Sequence, residues 1–120
     1  MAKNKFGIPK DVLSQIRLRD SACVYCGKKL IYPYLAKSSK DCATIEHLNF
    51  DGPFFWPDLQ ANDIVFCCGS CNSSRGVKKL TDWFATRYCI DKNINTKTVA
   101  APVRSYLRRQ KNRDSLRRAV

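Results

Sequence analysis

Two cysteine pairs carry the plainest chemistry in this 120-residue chain. Cys23 and Cys26 stand in "CVYCGK", and Cys68 and Cys71 stand in "CGSCNSS". Each is a C-x-x-C in a turn of small residues. Two thiolates at that spacing can bite one ion, and two such turns complete a tetrahedral four-sulfur zinc site. A site closed by four thiolates leaves no position for water, so its role would be structural. Zinc supplies about 10 kcal/mol or more to the folding of small domains of this kind. Cys67 is an alternative to Cys68, but Cys68 repeats the gap of the first pair. Cys67 then packs as a small hydrophobe. Cys42 and Cys89 have no partner at ligand spacing and are expected to be buried. The competing reading of the whole set is redox-active or free buried thiols.

The second candidate is His47, the one histidine in the chain. It follows Glu46 directly in "ATIEHLNF". A solitary histidine is commonly no more than a satisfied polar group. A neutral imidazole, with an unperturbed pKa of about 6.5, can also take a proton from water at pH 7. Asn72 follows the second cysteine pair immediately, where it could cap a helix.

These residues need elements to position them. "IPKDVLSQIRLRD" reads as a helix, with Pro9 in its first turn and Val12, Leu13 and Ile16 on one face. "ATIEHL" and "DIVFCC" read as strands. Gly52, Pro53 and Pro57 force a long irregular connection between them. "CNSSRG" opens toward a helix, and "LTDWFATRYC" reads as another, with Trp83, Phe84 and Tyr88 inward. A last helix is expected over about 98–119, with Pro102 in its first turn. Residues 1–7 read as a loose basic lead. The fold class is therefore α+β, one domain spanning 1–120, with a core over about 8–90 and a basic helical extension over about 97–120.

Composition narrows the partners. The chain holds 22 basic and 10 acidic residues, a net charge of +12. Such an excess attracts polyanions across a Debye length of about 8–10 Å, and nucleic acid is the first to consider. The start has no apolar signal-like run and no segment is long enough to span a bilayer. A cytoplasmic protein with reduced thiols and no membrane partner is expected. The odd count of seven cysteines precludes full internal disulfide pairing.

The order of the pieces is informative. "CVYC", then "IEHL", then "DIVFCCGSCNSSRG" resembles the HNH endonuclease family over roughly residues 8–90. The resemblance implies a β-hairpin followed by a helix around a catalytic divalent ion, stapled by zinc. It implies that His47 is the general base, and that Glu46 and Asn72 are ligands of Mg2+ or Mn2+. Glu46 stands where the family usually has Asp. The family's middle Asn falls on Asp63, with Asn62 one residue away. An Asp there could still hold the loop beneath the histidine by accepting backbone N–H bonds.

The chemistry implied is metal-dependent hydrolysis of DNA phosphodiester bonds. A hard cation takes oxygen ligands and keeps several waters. Arg75 would clamp the same phosphate. Glu46 and His47 are neighbours, and strand neighbours face opposite ways, so they converge only where the strand ends. Lys78, Lys79, Arg104, Arg108 and Arg109 are expected to follow the phosphate backbone, with Lys111, Arg113, Arg117 and Arg118 on the same last helix. Phe54, Phe55 and Trp56 are either core or base-stacking residues. The competing function is a non-catalytic, zinc-stabilised nucleic-acid-binding module. Monomer and homodimer both stay open.

Overall fold

The computed structural model describes residues 4–119. The side chains of 117–119, and with them the expected phosphate contacts of Arg117 and Arg118, lie outside the described residues, as do residues 1–3. The order is α1 (Lys10–Arg19), β1 (Ala43–His47), β2 (Ile64–Cys68), α2 (Gly69–Arg75), α3 (Leu80–Phe84), α4 (Arg87–Lys92) and α5 (Ala101–Ala119). Short 3-10 turns at Ala36–Ser38 and Ala61–Asp63 precede the two strands. This is a small α+β structure around a two-stranded antiparallel sheet.

The strands pair with Ala43 opposite Cys68, Ile45 opposite Phe66 and His47 opposite Ile64. All five residues of β2 are buried. A strand covered on both faces must be apolar throughout, which accounts for the unbroken "IVFCC" run. β1 is only half covered, and its one fully buried residue is Glu46. Asp20, just past α1, ties that helix to the outer edge of β2. Its buried carboxylate accepts the Phe66 N–H at 3.0 Å and pairs with Arg19 at 2.8 Å. The core gathers Ile16, Val24, Leu48, Leu59, Val65, Trp83, Val99 and Val103.

Three expectations needed revision. Pro9 is the residue before α1, not part of its first turn. The expected helix over "LTDWFATRYC" breaks at Ala85 and Thr86 into α3 and α4. There the Thr86 hydroxyl donates to the Trp83 carbonyl, a local bond that competes with helix continuation. Asn72 is not an N-cap either. Cys68 occupies that position, and its Sγ accepts the Cys71 N–H. The last helix matches its expected span closely, beginning at Ala101 with Pro102 in the first turn.

Gly69 opens α2, and a Cβ there would overlap the backbone carbonyl of Ser39. The next residue, Ser70, donates its N–H to the Lys40 carbonyl at 3.2 Å. The turn that carries Cys68 and Cys71 is thus pressed against the chain entering β1. Gly69→Ala is expected to cost about 1–3 kcal/mol, the usual range for forced overpacking. Urea unfolding would measure it, and an unchanged midpoint would show that this approach is not tight.

Candidate functional site

β2 delivers Cys68, the first turn of α2 delivers Cys71, and the turn after α1 lays Cys23 and Cys26 against them. The four Sγ atoms lie within 4.8 Å of one another. Those of Cys26 and Cys68 are 3.9 Å apart. Zinc–sulfur bonds of about 2.3 Å in a tetrahedron place sulfurs about 3.8 Å apart. The cluster could therefore hold one metal ion such as zinc. Thiols this close cannot all ionise without a cation. Hydrogen bonding from Cys23 and Cys71 holds Cys68 well below the usual thiol range, while bonds with Cys23 and Cys68 push Cys71 up.

Cys67 is not in the cluster. It is fully buried, its sulfur sits 3.6 Å from Thr44 Oγ1, and burial pushes its thiol well up. Cys42 and Cys89 are likewise fully buried. All seven cysteines are free thiols in the structure.

Beside the cluster a cavity of about 550 Å³ opens over the end of β1. Glu46, His47, Asn49, Phe54, Asn72 and Arg75 are among the residues that line it. All five residues of β1 line it, so Glu46 and His47 share it although they are strand neighbours.

His47 is half-buried between two aromatic rings, Phe6 at 4.3 Å and Phe54 at 5.4 Å between centroids. Burial lowers its pKa below the ordinary value, against an opposing pull from the Phe54 carbonyl. The neutral imidazole is thereby favoured at pH 7. Its Nε2 is enclosed without a hydrogen bond of normal geometry. Asn72 Nδ2 donates to Thr44 Oγ1 at 2.9 Å and to the Ile45 carbonyl at 3.2 Å. Both donors of the amide are thus spent on β1. The amide oxygen takes no hydrogen bond among the described residues.

Glu46 is 4% exposed. Its Oε2 accepts the Tyr25 hydroxyl at 2.7 Å and Arg75 Nη1 at 3.1 Å. Burial raises its pKa, and the charge of Arg75 and the bond from Tyr25 pull it back. Its Oε1 accepts no hydrogen bond among the described residues. Three side-chain oxygens of cavity-lining residues, Glu46 Oε1, Asn72 Oδ1 and the enclosed Asn49 Oδ1, thus take no protein donor among the described residues. That donor set fits a hard divalent cation that retains several waters.

Two expected site residues make contacts other than those expected. Arg75 is 1% exposed and does not reach out to a phosphate. Its guanidinium donates to Glu46, to the carbonyls of His47 and Leu48, and through Nε to the Lys78 carbonyl. A buried guanidinium must satisfy its donors, and the irregular chain after β1 offers the carbonyls. The Asp63 carboxylate takes no backbone N–H of the loop after His47 among the described residues. It meets Arg109 at 3.4 Å, and only the residue's backbone carbonyl touches the loop, accepting the Leu48 N–H at 2.8 Å. Asn62 does not fill the place, since its side chain is exposed and its carbonyl accepts from Arg109. The loop is held instead by Arg75 and by Asn49, whose Nδ2 donates to the Pro53 carbonyl at 2.9 Å.

Tyr25 and Asn49 were not singled out in the sequence. Tyr25 left a trace there, as a polar aromatic between two ligand-spaced cysteines. Asn49 left none.

Of the residues expected to meet phosphate, Lys78, Lys79, Arg104 and Arg108 are exposed. Arg109 is partly committed to Asp63 and the Asn62 carbonyl, and Arg104 donates to the Val99 carbonyl. Lys111 and Arg113 are exposed on the same helix. Phe55 is exposed, while Trp56 packs against the core. Among the described residues no helix is long and apolar enough to cross a membrane. Comparison of the chain with protein-family models, curated proteins and solved structures returned no match.

Proposed function

We propose that the chain is a metal-dependent endonuclease of the HNH type, with a ββα-metal site, that hydrolyses DNA phosphodiester bonds. The observation that carries this reading is the cavity at the end of β1. There a half-buried imidazole, a carboxylate and an amide from three sequence positions line one space beside a four-cysteine cluster. His47 takes the proton of the attacking water. Glu46 and Asn72 would hold Mg2+ or Mn2+ through oxygen, and the bound ion would offset charge on the phosphate and the leaving oxygen. Arg75 fixes the carbonyls of His47 and Leu48 and so sets where the imidazole sits. The zinc cluster anchors α2 and the turn beneath.

The test is incubation of supercoiled plasmid with the zinc-loaded protein, with and without Mg2+ or Mn2+. Nicked or linear product that depends on the divalent ion is expected. Retention of DNA with no cleavage under either ion would instead support the zinc-stabilised binding module.

The exposed basic residues of α5, together with Lys78 and Lys79, are the surface proposed for the phosphate backbone. Each contact releases counterions, so log affinity should fall with log salt at a slope of about −0.9 per phosphate. Replacing Arg108 and Lys111 together with alanine should reduce that slope by about two. Fluorescence anisotropy of a labelled duplex across a salt series measures it. An unchanged slope would place the DNA on another face.

A further inference from the structure

Tyr25 lies in the first cysteine turn, between Cys23 and Cys26 in the chain. It is 2% exposed, and its ring meets Trp83 edge-on at 4.9 Å. Its hydroxyl makes one hydrogen bond among the described residues, to Glu46 Oε2 at 2.7 Å. The residue that reaches the cavity's carboxylate is thus carried by the same turn that supplies half of the sulfur cluster.

We infer that Tyr25 is a positioning residue for the divalent-ion site, through which the zinc-binding turn orients the Glu46 carboxylate. This rests on the reading of Glu46 as an ion ligand. A carboxylate pinned at one oxygen by two donors has little freedom to rotate. With Oε2 held by Tyr25 and Arg75, Oε1 is left without a protein donor among the described residues and is the oxygen that would meet the ion. Without the hydroxyl, one guanidinium remains, and a carboxylate prefers to meet a guanidinium with both oxygens. Rotation into that arrangement would withdraw Oε1 from the ion. Groups that orient a metal ligand in this manner typically affect ion affinity by about 10–100-fold.

The experiment uses the zinc-loaded full chain with Mn2+ as probe, free Mn2+ being read by electron paramagnetic resonance without DNA. Wild type, Tyr25→Phe, Glu46→Ala and Tyr32→Phe are compared, with zinc content and thermal midpoint read on the same samples. Tyr32 donates to a backbone carbonyl remote from the cavity and serves as the control for loss of a hydroxyl. The expected result is Mn2+ affinity about 10-fold or more weaker in Tyr25→Phe, with one zinc retained and Tyr32→Phe unchanged. Equal affinity in Tyr25→Phe and wild type overturns the positioning role alone. Loss of zinc in Tyr25→Phe also overturns it, because the hydroxyl then serves the fold. No Mn2+ uptake by wild type, or uptake undiminished in Glu46→Ala, overturns the ion site itself and the inference with it.

Discussion

A His47→Ala chain is expected to keep its zinc and its affinity for DNA and to lose plasmid cleavage by about 10²–10⁴-fold. That range is what a positioned general base typically contributes. The imidazole is suited to the task for a physical reason. Flanked by Phe6 and Phe54, it is partly removed from water, and desolvation disfavours its charged form. Under the proposed mechanism it would enter the reaction neutral, able to accept a proton. The side chain is not among the basic residues proposed to meet DNA and belongs to neither cysteine pair, so binding and zinc content should survive its removal. Initial rates of nicking under saturating Mn2+ give the ratio, with zinc analysis and anisotropy on the same preparations. A variant that cleaves at the wild-type rate would remove His47 from the chemistry.

Stripping the metal from the four-cysteine cluster is expected to unfold the protein. A structural zinc site contributes about 10 kcal/mol or more, against a net stability of about 5–15 kcal/mol for a typical domain. The geometry explains why little would remain. Cys23 and Cys26 belong to a turn after α1, whereas Cys68 and Cys71 join β2 to α2, so an ion held there would cross-link the two halves of the core. Without it, four thiols lie packed with their sulfurs within 4.8 Å of one another. Trp83, fully buried against Tyr25 of the same turn, reports the change through fluorescence. Chelator titration should show loss of tertiary signal in step with release of one zinc per chain. Cys68→Ser should do the same, while Cys67→Ala should retain zinc. Full structure with the metal removed would make the cluster incidental to the fold.

The elements that carry strong periodic or ligand-spacing signals were legible in the sequence. The C-x-x-C pairs, the strand on either side of the Pro- and Gly-rich connection, and the helices flanking them all stand close to where local pattern put them. Local pattern works there because it reflects constraints within a few residues: the bite of two thiolates, the pleat of a strand, the turn of a helix. Spacing favoured Cys68 over Cys67, and the structure sets Cys68 in the cluster and Cys67 outside it. Position along the chain was a poorer guide to side chains whose partners are distant. Arg75 looked free to reach a phosphate, yet the carbonyls left unpaired by the irregular chain after His47 consume its guanidinium. Asp63 stood at the expected place before β2, but α5, arriving from forty-odd residues later, brings Arg109 to its carboxylate.

By itself, then, the chain's residue order determined that two sulfur pairs, a lone imidazole and a hairpin would exist, because each is written in local spacing. Whether Glu46 faces solvent or a buried tyrosine, and which loop residues cradle His47, was decided only when the backbone closed. Those are long-range pairings between buried polar groups. Each such group must find a partner once water is gone, and which partner lies near is a property of the packed fold rather than of neighbouring letters.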